Sequence, residues 1–374
     1  VTLLINNRQW IFDVVHPQYT LGLVAINKNE SDKSQLILRG PFNSFDSYRQ
    51  GLQRDSSIFQ SNKVLQWNDT ASLPLLSSSN SAEIFEQLRK HPRLDTDRTN
   101  DWKCRPYQGD LNATWGKPLM DFKSTNCPAG FWPVYKGESF DIWNCDRGRY
   151  YAWIDPDVVI GVLLRKRLNS FRNSRSVFSD FPKEWIQDKK TLPCLHPRIA
   201  FRDVSRATDT RTVRITLIPP KVILANQAPY FLWARGNELD QTYVLGVMSS
   251  APLDWYARKF VETHLNFYVI NPFPIPRPDK ADKCYKRVIE LSGRLACPDD
   301  RFSGWAEKVG VDYGPLNEDL KRDMIEELDA VVALLYGLNE KQLIHIFETF
   351  HVGWDYEEGL RSTLKHYNSW RQKI

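Results

Sequence analysis

The residues best suited to chemistry form an arginine-rich stretch near the middle of the chain. Residues 198–214 contain five arginines among serine and threonine residues, with only two aspartates. A guanidinium group carries a planar set of donors that fits phosphate oxygens or the acceptor edge of guanine. Apolar runs flank the stretch on both sides, so we expect a positively charged loop or strand on a rigid scaffold. A solvated, partly salt-bridged surface strand is the alternative interpretation.

A second group of cations follows a predicted helix over residues 156–170. The apolar positions of this segment recur with helical spacing opposite a basic cluster that includes Arg165, Lys166, Arg167 and Arg172. A basic helix face can hold the phosphate backbone of a nucleic acid. It can equally be a solvated face with no partner.

Tryptophan is frequent in the segment that precedes this predicted helix. Five tryptophans fall within about 50 residues: Trp102, Trp115, Trp132, Trp143 and Trp153. Aromatic rings can serve as stacking platforms for nucleobases. Packing in cores and between domains is the commoner use of tryptophan.

The composition limits the class of protein. A chain of 374 residues has room for two or three domains, and a net charge of +5 does not by itself imply a nucleic-acid partner. The six cysteines form no Cys-x-x-Cys pair and no histidine lies at zinc spacing, so we expect free thiols in a reducing cytoplasm and no metal site. No apolar run approaches the roughly 20 residues of a membrane span. The first residues lack a signal-peptide pattern and open in a strand-like run without an initiator Met, which predicts a chain that begins within a larger protein.

The hydrophobic pattern predicts a mixture of strands and helices. The continuous apolar character of Val1–Ile5 and Thr20–Ile26 predicts strands that are buried on both faces. Further strands are predicted at residues 35–39, 132–137, 198–201, 213–218 and 222–225. Helices are predicted at residues 82–90, 156–170, 245–260, 284–295, 316–336 and 340–348. Alternating prolines at 272–276 predict an extended path.

Several blocks, taken in order, resemble one protein family. Residues 133–143 (Pro-Val-Tyr-Lys-Gly-Glu-Ser-Phe-Asp-Ile-Trp) are similar to a block in the target-recognition domains of fused restriction-modification methyltransferases. Residues 245–256 (Leu-Gly-Val-Met-Ser-Ser-Ala-Pro-Leu-Asp-Trp-Tyr), continuing to 266–268 and 274–276, resemble the helix and proline segment that closes a recognition domain in those enzymes and in type I specificity subunits. Residues 334–340 resemble their helical ending, and the arginine-rich stretch lies between these blocks, as it does in the family.

The resemblance implies the C-terminal part of a type II fused restriction-modification, adenine-specific DNA methyltransferase. The expected fold class is α+β. Residues 1–95 would hold the edge strands of a Rossmann-like methyltransferase sheet and a linker, 96–285 a mixed α/β DNA target-recognition domain, and 286–374 a C-terminal helical region. It also implies a phage-defence role in the cytoplasm. The implied partners are double-stranded DNA, the missing N-terminal catalytic part and restriction-modification subunits, with S-adenosylmethionine used by the full-length enzyme and no cofactor bound by this chain alone.

The site residues follow from the same resemblance. Side chains expected to touch bases or phosphates are Arg202, Arg206, Arg211 and Arg214, all pointing outward on one wall, together with Lys136, Arg165, Lys166, Arg167 and Arg172. His16 resembles the position where related adenine methyltransferases hold a ring against a flipped base, and a turn histidine before Pro17 is the alternative.

The chemistry that is missing matters equally. The chain has no Gly-rich turn after a first strand and no (Asn/Asp/Ser)-Pro-Pro-(Tyr/Phe) loop, since its one Pro-Pro pair follows Ile218. Glu184, Asp188 and Lys190 follow no predicted strand, which argues against a nuclease site. We therefore expect no catalysis by this chain alone. Two other classes remain open: a specificity or assembly subunit that acts by docking proteins, and a carbohydrate-active enzyme, although no carboxylate pair has a recognisable spacing.

Overall fold

The computed structural model describes residues 1–15, 17, 19–27, 34–53, 56–67, 69–70, 72–99, 101–350 and 353–374. The described residues form strands in three sheets. The strands are β1 (Thr2–Ile5), β2 (Thr20–Leu23), β3 (Gln35–Phe42), β4 (Ser57–Gln60), β5 (Lys103–Tyr107), β6 (Met120–Asp121), β7 (Trp132–Tyr135), β8 (Ala152–Ile154), β9 (Arg198–Phe201), β10 (Ile215–Ile218), β11 (Ile223–Leu224) and β12 (Tyr230–Arg235).

Helices follow and separate these strands. They are α1 (Phe45–Gly51), α2 (Ser61–Trp67), α3 (Ser79–Arg89), α4 (Pro156–Phe171), α5 (Lys183–Gln187), α6 (Glu238–Met248), α7 (Ala251–Ala257), α8 (Phe267–Ile270), α9 (Lys283–Ala296), α10 (Ser303–Val309), α11 (Glu318–Leu335), α12 (Glu340–Glu348) and α13 (Glu357–Arg371). The predicted α+β class is confirmed. None of the helices in the described part of the chain is long and apolar enough to cross a membrane.

The N-terminal sheet has the order β2-β1-β3-β4, with β1 parallel to β3 and antiparallel to β2. Leu3, Leu38 and Phe59 face the main core, where they meet the apolar side of α3. The predicted burial of both faces is wrong for β2, because this strand lies at the sheet edge and Leu23 is exposed. The assignment of this sheet to a Rossmann-like domain stays a prediction.

The central sheet, β10-β9-β12-β5, is antiparallel and lies between two cores. Side chains of a strand alternate between the two faces of its sheet. Ile199 and Phe201 therefore enter the main core beside α6 and α7, while Ala200 enters a second core with Tyr230 and Leu232. Burial on both faces explains the unbroken apolar character of β9 and β10.

The third sheet, β11-β7-β8-β6, packs against α4. A buried ion pair joins it to the central sheet. Arg198 Nη2 donates to Asp110 Oδ2 at 2.6 Å, and Asp110 also accepts the Tyr230 hydroxyl at 2.9 Å and the Leu224 N–H at 2.8 Å. The first arginine of the arginine-rich stretch is thus a structural residue.

The C-terminal helices share the main core with the central sheet and with α3. Side chains from all three predicted segments, for example Leu38, Phe201 and Val331, belong to this one core. The predicted boundaries at residues 95 and 285 stay predictions. The single helix predicted over 245–260 is wrong, because Pro252 stands within the first turn of α7 and lacks the N–H that a continuous helix needs, so α6 ends at Met248.

Candidate nucleic-acid interface

The remainder of the arginine-rich stretch forms a loop, residues 202–214, between β9 and β10. Its two ends are hydrogen-bonded, since Arg202 N–H donates to the Arg214 carbonyl at 2.9 Å. Arg258, directly after α7, donates to three carbonyls of the loop, those of Ala207, Asp209 and Thr210, at 2.6–2.8 Å. These bonds fix the backbone of the loop on the main core.

One predicted contact residue belongs to this anchor. Arg211 Nε donates to Asp254 Oδ2 at 2.8 Å, and its guanidinium also donates to the Ser249 carbonyl. Asp254 is fully buried, accepts the Thr212 N–H at 3.0 Å, and pairs with Arg258 at 3.2 Å. The prediction that Arg211 points outward to DNA is wrong, because a buried carboxylate needs its cationic partners.

Two of the other predicted arginines come together with a third that was not predicted. Arg202 and Arg214 approach Asp141 Oδ2 at 3.9 and 3.8 Å, and Arg147 approaches the same oxygen at 3.6 Å. We call Arg147, Arg202 and Arg214 the arginine cluster. Arg214 also lies 3.8 Å from Asp209. None of these contacts is short enough for a good charge-assisted hydrogen bond, so three guanidinium groups share two carboxylates without a close ion pair.

The electrostatics of Arg202 set it apart from an ordinary surface arginine. Its side chain is 17% exposed, and its Nε and Nη1 atoms are buried without a hydrogen-bond partner among the described residues. Burial is the main cause that lowers the pKa of Arg202, and the charge of Arg214 lowers it further. Buried donors without partners are costly. An anion beside the cluster would offset the mutual repulsion of Arg202, Arg214 and Arg147.

A tight turn holds the shared carboxylate in place. Asp141 and Asn144 exchange backbone hydrogen bonds at 2.8 and 3.0 Å, and Trp143 takes a left-handed φ of 52° within the turn. A bulky residue adopts this conformation only where its surroundings impose it. Here the Trp143 side chain is buried in the main core. The sequence does not predict Asp141 and Arg147 as site residues, although Asp141 falls within residues 133–143, which resemble a recognition-domain block.

Arg206 lies at the outer part of the loop. Its side chain is exposed and forms no ion pair in the described part of the chain, while its backbone N–H donates to Asp209 Oδ2 at 3.2 Å. An exposed arginine on a fixed backbone is free to meet a ligand. The prediction that these arginines point outward therefore holds for Arg206, whereas the side chains of Arg202 and Arg214 are only 17% and 18% exposed beside Asp141.

The basic cluster on α4 divides into internal and external members. Arg167 is 1% exposed and donates to Thr191 Oγ1 at 2.9 Å and to the Asp188 carbonyl at 2.7 Å, with the Trp185 ring beside it. Lys166 Nζ donates to the carbonyls of Gly109 and Asp110. Arg167 is buried and does not face a partner as predicted, whereas Lys166 is half-buried and its DNA contact stays a prediction. Arg165 and Arg172 are exposed, and their DNA contacts stay predictions.

Two further predictions concern Lys136 and His16. Lys136 Nζ lies 3.3 Å from the centre of the Tyr151 ring, a cation–π contact at the side of the loop that leads to Asp141. His16 lies outside the described residues. Within the described ranges, no group of three or more His, Cys, Asp or Glu side chains is arranged to hold a metal ion.

Comparisons with known proteins give structural neighbours at low identity. No protein-family profile matches the sequence, and no curated protein sequence matches it. The chain is similar to MmeI, a type IIL restriction-modification enzyme solved in complex with DNA, with 12% identity, a TM-score of 0.38, and coverage of 86% of this chain and 41% of MmeI. It is also similar to the type IIG restriction endonuclease BpuSI, with 12% identity, a TM-score of 0.30, and coverage of 89% of this chain and 39% of BpuSI. The chain thus spans about two-fifths of the length of each enzyme.

Proposed function

We propose that this chain recognises double-stranded DNA in a sequence-specific manner, as part of a restriction-modification enzyme. The observation that carries the proposal is the arginine cluster, in which three guanidinium groups surround one carboxylate at 3.6–3.9 Å. Three guanidinium groups beside the two carboxylates of Asp141 and Asp209 leave an excess of positive charge. A phosphate of the DNA backbone has the charge and the acceptor oxygens that the cluster lacks.

Arg206, on the same loop, has a different role in this proposal. The arginine cluster grips the backbone and fixes the register of the duplex, while Arg206 reaches the base edges. Arginine pairs bidentately with the O6 and N7 atoms of guanine in the major groove. The anchoring of the loop by Asp254 and Arg258 keeps its backbone rigid. Rigidity lowers the entropy cost of ordering side chains on binding.

We further propose that the full-length enzyme methylates adenine with S-adenosylmethionine. This chain has neither a Gly-rich strand–turn nor an (Asn/Asp/Ser)-Pro-Pro-(Tyr/Phe) loop, so its residues do not fit the methyl donor. The proposal therefore assigns donor binding and methyl transfer to another part of the enzyme. The role of this chain is to hold the duplex so that the target base meets that part.

The alternative is a subunit that acts mainly by binding other proteins through its C-terminal helices. The packing of these helices supports it less well. The apolar sides of α9, α11 and α13 meet one another, with Val331, Leu328 and Tyr367 buried in the main core. These helices therefore use their apolar faces internally. A docking function would have to use polar surfaces instead.

Selection from a pool of randomised duplexes tests the proposed function. The purified chain is incubated with the pool, and the retained DNA is sequenced over several rounds. Enrichment of one defined sequence is the expected result, and an Arg206→Ala variant should relax the preference at one or two positions while still retaining DNA. A pool that stays random with the unaltered chain would refute sequence-specific recognition. Methyl transfer to the selected duplex is then measured with the full-length enzyme.

A further inference from the structure

One tryptophan of the third sheet region is almost fully exposed. Trp115 is 85% exposed and lies in a turn, residues 112–116, that the Asn112 side chain holds. Asn112 Oδ1 accepts the N–H groups of Thr114 at 2.8 Å and Trp115 at 3.1 Å. The turn thus fixes the backbone that presents the indole to solvent.

Other aromatic rings and a lysine lie beside this turn. The Tyr151 hydroxyl donates to the Ala113 carbonyl at 3.4 Å, and the exposed Phe122 meets the Tyr151 ring edge-on at 5.2 Å. Lys136 Nζ lies 3.3 Å from the centre of the Tyr151 ring. We call Trp115, Phe122, Tyr151 and Lys136 the aromatic surface.

The charge of the aromatic surface favours an anionic partner. No carboxylate lies within 4.0 Å of Lys136 Nζ in the part of the chain that the structure describes, and two more lysines, Lys117 and Lys123, are exposed on the same segment. Asp121 is an acidic residue on the same segment, and it accepts the Ser124 hydroxyl at 2.6 Å. Aromatic rings with cations between them suit a partner that has both phosphates and flat rings.

One member of the aromatic surface, Lys136, is joined by a short segment to the arginine cluster. Lys136 is followed by Gly137, and a methyl group added at Gly137 would lie 3.4 Å from Cγ of Arg202. The same short segment ends near Asp141, which the arginine cluster surrounds. A nucleic-acid strand whose phosphate binds at the arginine cluster would therefore pass close to Lys136.

We infer that the aromatic surface binds unpaired nucleotides of a DNA strand, with Trp115 stacking on a base. The inference rests on the proposed function, because it extends the same contact with DNA. An intact duplex hides the faces of its bases within the stack, and only an unpaired or extruded base can offer a face to the indole. Stacking of this kind tolerates any base, since each has a π face. The aromatic surface would thus supply affinity for opened DNA, whereas Arg206 supplies sequence preference.

Two duplexes of equal length and charge isolate the stacking contribution. One is fully paired, and the other has a central bubble of mismatched bases. Fluorescence anisotropy gives the affinity of the full chain for each, and of the variants Trp115→Ala and Tyr313→Ala. Tyr313 is an exposed aromatic residue before α11, outside the aromatic surface, and serves as the matched control.

The expected result is a tighter complex with the bubble for the unaltered chain and for Tyr313→Ala. Trp115→Ala should weaken bubble binding by roughly 5- to 100-fold, the range for losing one stacked base, and leave the paired duplex unchanged. Equal affinities of the unaltered chain for bubble and duplex would overturn the inference, as would an unchanged bubble affinity of Trp115→Ala, while the proposed function would stand. Binding to neither DNA would overturn both. A loss by Trp115→Ala that is equal for both DNAs would also overturn the stacking role.

Discussion

Replacing Lys259 by Met should stabilise the protein, and the gain should depend on pH. Lys259 follows α7 directly and is 8% exposed, with its Nζ 4.0 Å from the centre of the Trp255 ring. No carboxylate lies within 4.0 Å of Nζ among the residues that the structure describes, and the charge of Arg258 lies nearby. The pKa of Lys259 is lowered to about 7, mainly by burial and secondly by the positive charge of Arg258.

The sign and size of the effect follow from this pKa. An unfolded chain holds the lysine proton up to a pKa of about 10.4. Between pH 7 and 10 the unfolded state therefore binds more protons at this group, so the lysine destabilises the fold most at and below pH 7 and less as the pH rises. Each pKa unit corresponds to about 1.4 kcal/mol. The stabilisation by Lys259→Met should therefore shrink by roughly 2–3 kcal/mol between pH 7 and pH 9.

Urea denaturation of the two proteins at several pH values provides the measurement. The difference between their unfolding free energies is the quantity to follow, because the buried cysteines, whose pKa values burial raises, change the stability of both proteins alike above about pH 8.5. Methionine fills the space of the lysine stem without a charge. A difference that stays constant from pH 7 to pH 9 would refute the reasoning, and so would a Met variant that is less stable at pH 7.

Three more changes test other parts of the structure. Asp254→Ala should lower the unfolding free energy by about 3–5 kcal/mol in urea titrations, because it leaves Arg258 buried without its carboxylate; a loss below about 1 kcal/mol would contradict that role. Asp110→Asn should cost about 3 kcal/mol by the same assay, since it removes the charge that Arg198 faces between two sheets; a stable variant would show that hydrogen bonds alone suffice. Arg206→Ala should leave the thermal midpoint unchanged and weaken binding to the selected duplex by about 1–3 kcal/mol, and an unchanged affinity would show that Arg206 does not read a base.

The sequence predicts the strands and long helices well where the hydrophobic period is clear. Residues 198–201 and 340–348 form the predicted strand and helix with the predicted bounds. The break between α6 and α7 could have been read from Pro252, but the apolar spacing on both sides obscured it. The sequence does not predict the strand Tyr230–Arg235. Its apolar residues do not alternate with polar ones, and they follow the strand predicted at residues 222–225 closely.

The sequence predicts the composition of the site better than its arrangement. Five arginines in one stretch indicate an excess of charge, yet which of them point outward depends on contacts with residues far along the chain. Arg211 meets Asp254, and Arg198 meets Asp110. Arg147 joins the arginine cluster only because the turn at Asp141 brings it there. No local pattern contains these distant pairings.

The salt dependence of duplex binding tests the central claim most directly. Affinity for the selected duplex is measured over a range of salt concentrations for the unaltered chain, for the double variant Arg202→Ala/Arg214→Ala, and for the control Arg322→Ala on the exposed side of α11. If the arginine cluster binds phosphate, the slope of log affinity against log salt should fall by roughly 1–2 in the double variant and stay unchanged in the control. A double variant with the slope and affinity of the unaltered chain would contradict the account.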